Sequence, residues 1–548
     1  MNKTLLIIAA IAATTVGCWG RTLSPDEALA RVSCENNAKF NAKKSSALSS
    51  SRLVATGKEA SQVTYYVFAT QTQTLIVSAD DLAYPLLGYI DNPSVDFDNL
   101  PPQMEWWLGE YSRQIAWANA NSDIVLKTAV PEAAADSREP IAPLCATTWD
   151  QDAPYNNLCP MKGSKRTVTG CVATAMAQVM KYFSWPTTGT GTVSYRWNRQ
   201  TLTMDFGSTT FQWDKMLNSY PSSTSGTAEQ REAVATLMKA CGYSVEMEYD
   251  VASAGGSAAS SWSLPNVLVA NFNYDKGART EFRDFYELSV WEEMIYENLA
   301  NVGPVLYGGS GTLGGHEFVC DGYSSDGYFH INWGWSGDSD GYFKLTALDP
   351  PSLGTGGGAG GFNTFQDATL GLCRPQQESA YPEPYMAVDG DLIATVDGRL
   401  VNCSVTGDGG FFNFGNYDGN FTIGLQMTDK VGKIYYTGAV SVSVPSLNGW
   451  YELDFDVANE IPDGIYQVVP AYRLGSGEWK PFRTYITSPS TAKITLGSSG
   501  VEELTAVDDT DQNAKWFNLH GVEVDGANPA AGIYLRVVGG KTEKVVVK

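Results

Sequence analysis

Glycine is the feature that most limits what this chain can become. Its 54 glycines among 548 residues break much of the sequence into short aromatic and β-branched segments. Glycine pays the largest backbone entropy on ordering and serves where a chain must turn. The pattern, with the tyrosine, threonine and valine around it, therefore predicts β-rich structure with many turns. The extreme case is LGTGGGAGGFN, Leu353 to Asn363, too glycine-rich for strand or helix and so a loop. The chain is also too long for a single core, which predicts three or four domains.

The formal net charge of −23 leaves no basic stripe to neutralise phosphates and excludes nucleic acid as a partner. At the N-terminus, Lys3 precedes an apolar stretch from Leu5 to Val16. It is too short to span a bilayer and reads as an export signal over residues 1–20. The alternative fate is lipidation at Cys18, within TVGC.

Ser24, Pro25 and Glu27 form a helix start with a capping box. Thr64 to Asp81 reads as two strands around a polar turn, and Trp106 to Ala120 as a helix. PEAAADSREPIAP, Pro131 to Pro143, has no periodicity and is expected to be an exposed linker. From Gly170 the run CVATAMAQVMKYF predicts a helix. Beyond about residue 380, alternating segments such as FTIGLQMT and YQVVPAYRL predict a β-sandwich. The last fifty or so residues are also strand-like, after the acidic break at Val507 to Gln512.

The nine cysteines are scattered, with no CxxC pair or Cys/His cluster, so no metal site is expected. Their odd number leaves at least one thiol unpaired. Cys171 stands between a glycine and the first turn of the predicted helix, where the helix dipole favours a thiolate; the alternative is a small buried apolar residue. The chain holds only three histidines, His316, His330 and His520, so any nucleophile needing an imidazole base must choose among them. His330 alternates with aliphatic residues, as a packed strand residue would. The Cys171–His316 separation falls inside the roughly 130–150-residue spacing of papain-like enzymes, whose thiolate–imidazolium pair forms across a cleft.

Six segments occur in one order: WDQDAPYN (from Trp149), GCVATAMAQVMKY (Gly170), GGSAASS (Gly255), GGHEFVCDGY (Gly314), NWGWSGDSDGYF (Asn332) and LGTGGGAGGFN (Leu353). Together they resemble the streptopain family of papain-like cysteine peptidases. The resemblance implies Cys171 as nucleophile and His316 as general base. It makes Gln151 an oxyanion-hole donor beside the Cys171 N–H, Asn332 the orienter of the imidazole and Trp333 its shield. Ser257, Gly315 and Trp335 would line the substrate cleft, with the loop at 354–361 as a wall. It implies peptide-bond hydrolysis in protein and peptide substrates without metal or organic cofactor, favouring a hydrophobic residue two positions before the cleaved bond.

The resemblance also makes residues 21–142 an inhibitory propeptide, so that the chain is its own inhibitor's partner. The implied fold is α+β: a papain-like two-lobed catalytic domain at 143–376, an α+β propeptide, and a β-sandwich at 380–495. Residues 496–548 resemble C-terminal sorting domains of the type IX secretion system, implying secretion machinery as a partner and a secreted or surface location in a Gram-negative bacterium. Two other readings are an inactive surface adhesin on this scaffold and a different cysteine-dependent acyl transferase.

Overall fold

The computed structural model describes residues 21–36, 50–120, 138–311, 314–347, 366–486, 488–497, 515–518, 523–524, 532–538 and 541–547. The export signal with Cys18, the glycine-rich loop, the acidic break and His520 lie outside the described residues.

Helix α1 (Pro25–Asn36) begins as its sequence requires, with Ser24 N donating to Glu27 Oε2 at 2.8 Å and Glu27 N to Ser24 Oγ at 3.4 Å. Four antiparallel strands follow: β1 (Arg52–Glu59), β2 (Gln62–Ala69), β3 (Thr74–Ser78) and β4 (Leu86–Ile90). Helix α2 (Pro102–Ala120) then crosses the sheet. A small hairpin, β5 (Met161–Lys162) and β6 (Lys165–Arg166), precedes helix α3 (Cys171–Phe183). Next come the hairpin β7 (Thr192–Trp197) and β8 (Gln200–Asp205), helices α4 (Ala228–Ser244) and α5 (Leu264–Phe272), strand β9 (Arg279–Phe282) and helix α6 (Leu288–Asn301). Strands β10 (Val305–Gly311), β11 (Gly314–Tyr323), β12 (Phe329–Asn332), β13 (Gly341–Phe343) and β14 (Gln366–Leu370) complete this part.

One ten-stranded sheet runs β1-β2-β3-β4-β13-β12-β11-β10-β14-β9. The first four strands join the rest where Tyr89 faces Tyr342 and Gly88 faces Phe343. Alternation along β10 and β11 sends Leu306 and Val319 to a core shared with α3, α4 and α5. It sends Tyr307 and Phe318 to the opposite face, under α2 and α6. On that second face Trp107 of α2 is 1% exposed. Its ring lies edge-on to Tyr307 at 5.9 Å and Phe318 at 5.8 Å, with Trp333 at 6.4 Å.

The expected linker differs in its second half. Ile141 exchanges two backbone hydrogen bonds with Tyr323 of β11, at 2.7 and 2.8 Å, and Leu144 N donates to Asp321 O. Arg138 pairs with Glu293 of α6 at 2.6 Å. The apolar Ile141, isolated in a Pro/Ala-rich run, had given no periodic signal of this edge pairing. Residues 121–137 lie outside the described part.

Residues 386–496 are all strand and turn, arranged as three small sheets over one core that contains Val401, Phe411, Leu425 and Val468. This unit touches the rest through Phe414, edge-on to Phe282 at 5.3 Å, and through Asn416, whose Oδ1 accepts from Thr280 N at 2.8 Å. The strands 515–518, 523–524, 532–538 and 541–547 form a separate four-stranded sheet. The architecture is α+β, as the resemblance implied. The seven cysteines whose side chains are described are all free thiols.

Trp107→Ala removes the largest side chain from the seam between α2 and the sheet. Denaturant unfolding of the protein carrying Cys171→Ala, which removes the candidate nucleophile, should show a loss of about 3–5 kcal/mol in the transition of the sheet.

Candidate active site

The peptide before α3 dictates where Cys171 sits. Gly170 caps the helix at φ 88°, a region that L side chains avoid. A Cβ there would lie 2.8 Å from Met247 Cε and 3.1 Å from Ser257 O. Only glycine fits, and Cys171 is the first helical residue, its backbone N–H one of those at the helix N-terminus without an intrahelical acceptor. The thiol is half-buried and joins the wall of a cavity of about 240 Å³. Gly315, His316, Glu317 and Asp367 from the sheet and the run Ala258 to Trp262 complete most of that wall.

Cys171 and His316 share this cavity, yet among the described residues no hydrogen bond links them. Strand alternation explains why. Glu317 shares the parity of Val319 and faces α3, whereas His316 shares that of Phe318 and faces α2. There the imidazole lies against Trp106, ring centroids 6.2 Å apart. Burial lowers the His316 pKa to about 4. Burial raises the Cys171 thiol, and the Glu317 carboxyl adds to the rise against a hydrogen bond from the Glu317 backbone. Both groups are therefore neutral near pH 7, and this conformation holds no thiolate–imidazolium pair.

The remaining expected residues divide. Gln151 O accepts from Thr169 N at 3.1 Å, which ties its loop to the segment entering α3. Asn332 is 2% exposed and its amide is engaged elsewhere. Its Oδ1 accepts from Gln178 Nε2 at 2.9 Å and Gly334 N at 3.0 Å, and its Nδ2 donates to Thr147 O at 2.8 Å. None of these bonds reaches His316. Trp333 is fully buried, with Nε1 donating to Ser339 O at 2.9 Å. Ser257 Oγ donates to Val168 O at 2.7 Å and accepts from Asp250 N at 3.0 Å, bracing the loop before Gly170. Gly315 lines the cavity; Gln151, Ser257 and Trp335 are not among its lining residues. His330 is held by Asp321, Nδ1 to Oδ1 at 2.6 Å. Burial alone would lower its pKa, but the Asp321 contact outweighs that and raises it.

Three participants were not singled out from sequence. Trp106 covers His316, and Glu317 and Asp367 bring two carboxyls to the cavity. Glu317 carried a readable signal, an acidic residue in an apolar strand directly after the histidine. Asp367 carried none, because only strand register brings it near.

Residues 149–343 match the Peptidase C10 family and residues 21–115 the Spi protease inhibitor family. Streptopain of Streptococcus pyogenes is 34% identical over 339 residues, covering 58% of this chain and 82% of that protein. The chain belongs to the streptopain family. The Porphyromonas gingivalis thiol protease/hemagglutinin PrtT is 31% identical over 438 residues, covering 76% of this chain. The match spans only 49% of that relative's length. A solved prointerpain A fragment from Prevotella intermedia is 33% identical with a TM-score of 0.50, covering 61% of this chain and 100% of the fragment. The streptopain-family match and the inhibitor match together make this a cysteine peptidase chain with an inhibitor-like propeptide region at 21–115.

Two measurements test this geometry. Folded His316 has a depressed pKa, so between about pH 6.5 and 4 the unfolded chain binds more protons. The histidine's contribution to stability is thus present above pH 6.5 and lost as pH falls towards 4. NMR titration of ¹³C-histidine in the Cys171→Ala protein should show His316 neutral until about pH 4, and Trp106→Ala should move its midpoint upward. Separately, Asn332→Ala strands the Gln178 amide and Thr147 carbonyl, and thermal or denaturant melts should register a loss of about 1–3 kcal/mol.

Proposed function

We propose that the chain is the precursor of an exported cysteine endopeptidase whose Cys171 thiolate attacks peptide carbonyls. The observation that carries this reading is the shared cavity of Cys171, on the N-terminus of α3, and His316 of β11. The thiolate adds to the scissile carbonyl, and the Cys171 N–H with the Gln151 amide receives the oxyanion. The imidazolium of His316 protonates the leaving amine as the tetrahedral intermediate collapses to a Cys171 thioester. Water, deprotonated by His316, hydrolyses the thioester and restores the thiol.

In this reading the inhibitor is the part of the expected propeptide, 21–142, that precedes Arg138. Trp106 and Trp107 of α2 occupy the face to which His316 is turned, so displacing α2 frees the imidazole to move towards the thiol. The cut that releases it falls within 121–137, because Arg138, Ile141 and Leu144 are bonded to α6 and β11. Asn332 acts in this scheme as a brace joining α3, β12 and the segment before Trp149, with Trp333 as packing around it.

Residues 1–20 direct export, and 496–548 act as the sorting segment presented to secretion machinery. The apolar leader with Lys3 and the compact terminal sheet support this assignment.

Purified precursor should convert to a shorter form that degrades casein, with alkylation of Cys171 abolishing turnover. Cys171→Ala should stay full length. Processing of that variant without added protease, or casein turnover that survives alkylation, would reject the reading.

A further inference from the structure

Strand register places three residues in one row across the sheet. Gly308 of β10 faces Glu317 of β11 on one side and Asp367 of β14 on the other. Residues directly opposite in adjacent strands project from the same face, here the face towards α3. The central glycine makes room for the Glu317 carboxyl between the strands: a Cβ on Gly308 would lie 2.2 Å from Glu317 Oε2.

Glu317 is 1% and Asp367 2% exposed, and both line the cavity that holds Cys171. Among the described residues, neither Glu317 oxygen nor Asp367 Oδ1 has a hydrogen-bond partner. Asp367 Oδ2 accepts from the Ser261 hydroxyl at 3.3 Å, and the Trp262 side chain acts on the same carboxyl as a donor. Buried carboxyls in that condition are costly, because desolvation is not repaid. Burial, then the charge of Asp367, holds Glu317 well above the usual carboxylate range, and burial raises Asp367 as well. The rest of the wall near them is small or neutral, with Ala258, Ala259 and Ser260. A cation with several donors would satisfy these acceptors.

We infer that Glu317 and Asp367 form a specificity pocket for a basic side chain of the peptide substrate, arginine above lysine. A guanidinium has five N–H donors in a planar fork that matches carboxylates on two sides, and a lysine ammonium supplies three donors without the fork. The cavity of about 240 Å³ is open to such a side chain beside the thiol. An occupying cation keeps both carboxyls ionised and fills every acceptor that stands empty here. This occupant is opposite in character to the hydrophobic residue the family resemblance implied. The inference rests on Cys171 being the nucleophile.

The test uses processed enzyme and internally quenched peptides with Arg, Lys or Leu placed in turn at each of the four positions before the bond. At one position, kcat/KM should favour Arg over Leu by about tenfold or more, a difference equivalent to about 1.4 kcal/mol, with Lys between. Glu317→Gln, Asp367→Asn and the double variant should each shrink that ratio, the double one to near unity or below. Equal or better turnover of Leu at all four positions in the unmodified enzyme would overturn the inference. So would an arginine preference that survives in the double variant, or in both single variants should the double one not fold. Iodoacetamide labelling of Cys171 and casein cleavage are read in parallel. An active, labelled enzyme that prefers leucine sinks the pocket alone, and an enzyme that cleaves neither casein nor any peptide sinks the peptidase reading and the pocket with it.

Discussion

The aromatic seam between α2 and β11 determines the state of this molecule. Trp107 is wedged edge-on to Tyr307 and Phe318 and tilted against Trp333, and its neighbour Trp106 covers His316. Aromatic side chains of this size bury about 150–250 Å² each and prefer such tilted contacts. One helical turn thus supplies both the adhesion of the N-terminal region and the placement of the imidazole. The same burial that stabilises the seam removes the proton that an imidazolium would carry. The stability of the seam and the neutrality of the imidazole therefore have a single physical origin here.

Much of the site's skeleton was legible in the sequence. Gly170 before an unbranched helical run predicted the position of Cys171 at a helix start, and the scarcity of histidine narrowed the base to three candidates. The six ordered motifs then suggested family, fold class and the separate N-terminal region. What the residues could not disclose was facing. His316 and Glu317 are adjacent, and a strand sends adjacent side chains to opposite sides, so one of them had to turn away from the thiol. Asn332 was read as an orienter from its place in a motif, whereas its three hydrogen bonds go to Gln178, Gly334 and Thr147. The Gly334 N–H two residues on is a local partner, but the Gln178 amide and the Thr147 carbonyl come from segments distant in sequence, and no local pattern encodes those two. The Gly308–Glu317–Asp367 row was hidden for the same reason, since it depends on the pairing of three strands.

The C-terminal β-unit is tied to the neighbourhood of the cavity. Trp262, which lines the cavity, is edge-on to Phe282 at 5.5 Å, and Phe282 is edge-on to Phe414 of the β-unit at 5.3 Å. Asn416 adds polar contacts to Thr280 N and to the Trp262 carbonyl. The cavity wall formed by Ala258 to Trp262 is therefore buttressed from behind by a segment more than a hundred residues downstream. A truncation after β14 would remove that support while leaving every cavity residue in the chain.

The pairing of β4 with β13 has a consequence for colloidal behaviour. Tyr342 and Phe343 are interior strand residues only because Tyr89 and Gly88 lie beside them, and Tyr342 also stacks on the Tyr89 ring at 5.1 Å. Severing residues 21–120 from the rest would turn β13 into a border strand with open N–H and C=O groups and an uncovered tyrosine. Open borders recruit foreign strands, and brevity is one of the ways natural sheets restrain this. At three residues β13 is about as short as a strand can be. The N-terminal region is thus a solubilising hem as well as a block, and the short length of β13 limits self-association once that hem is gone.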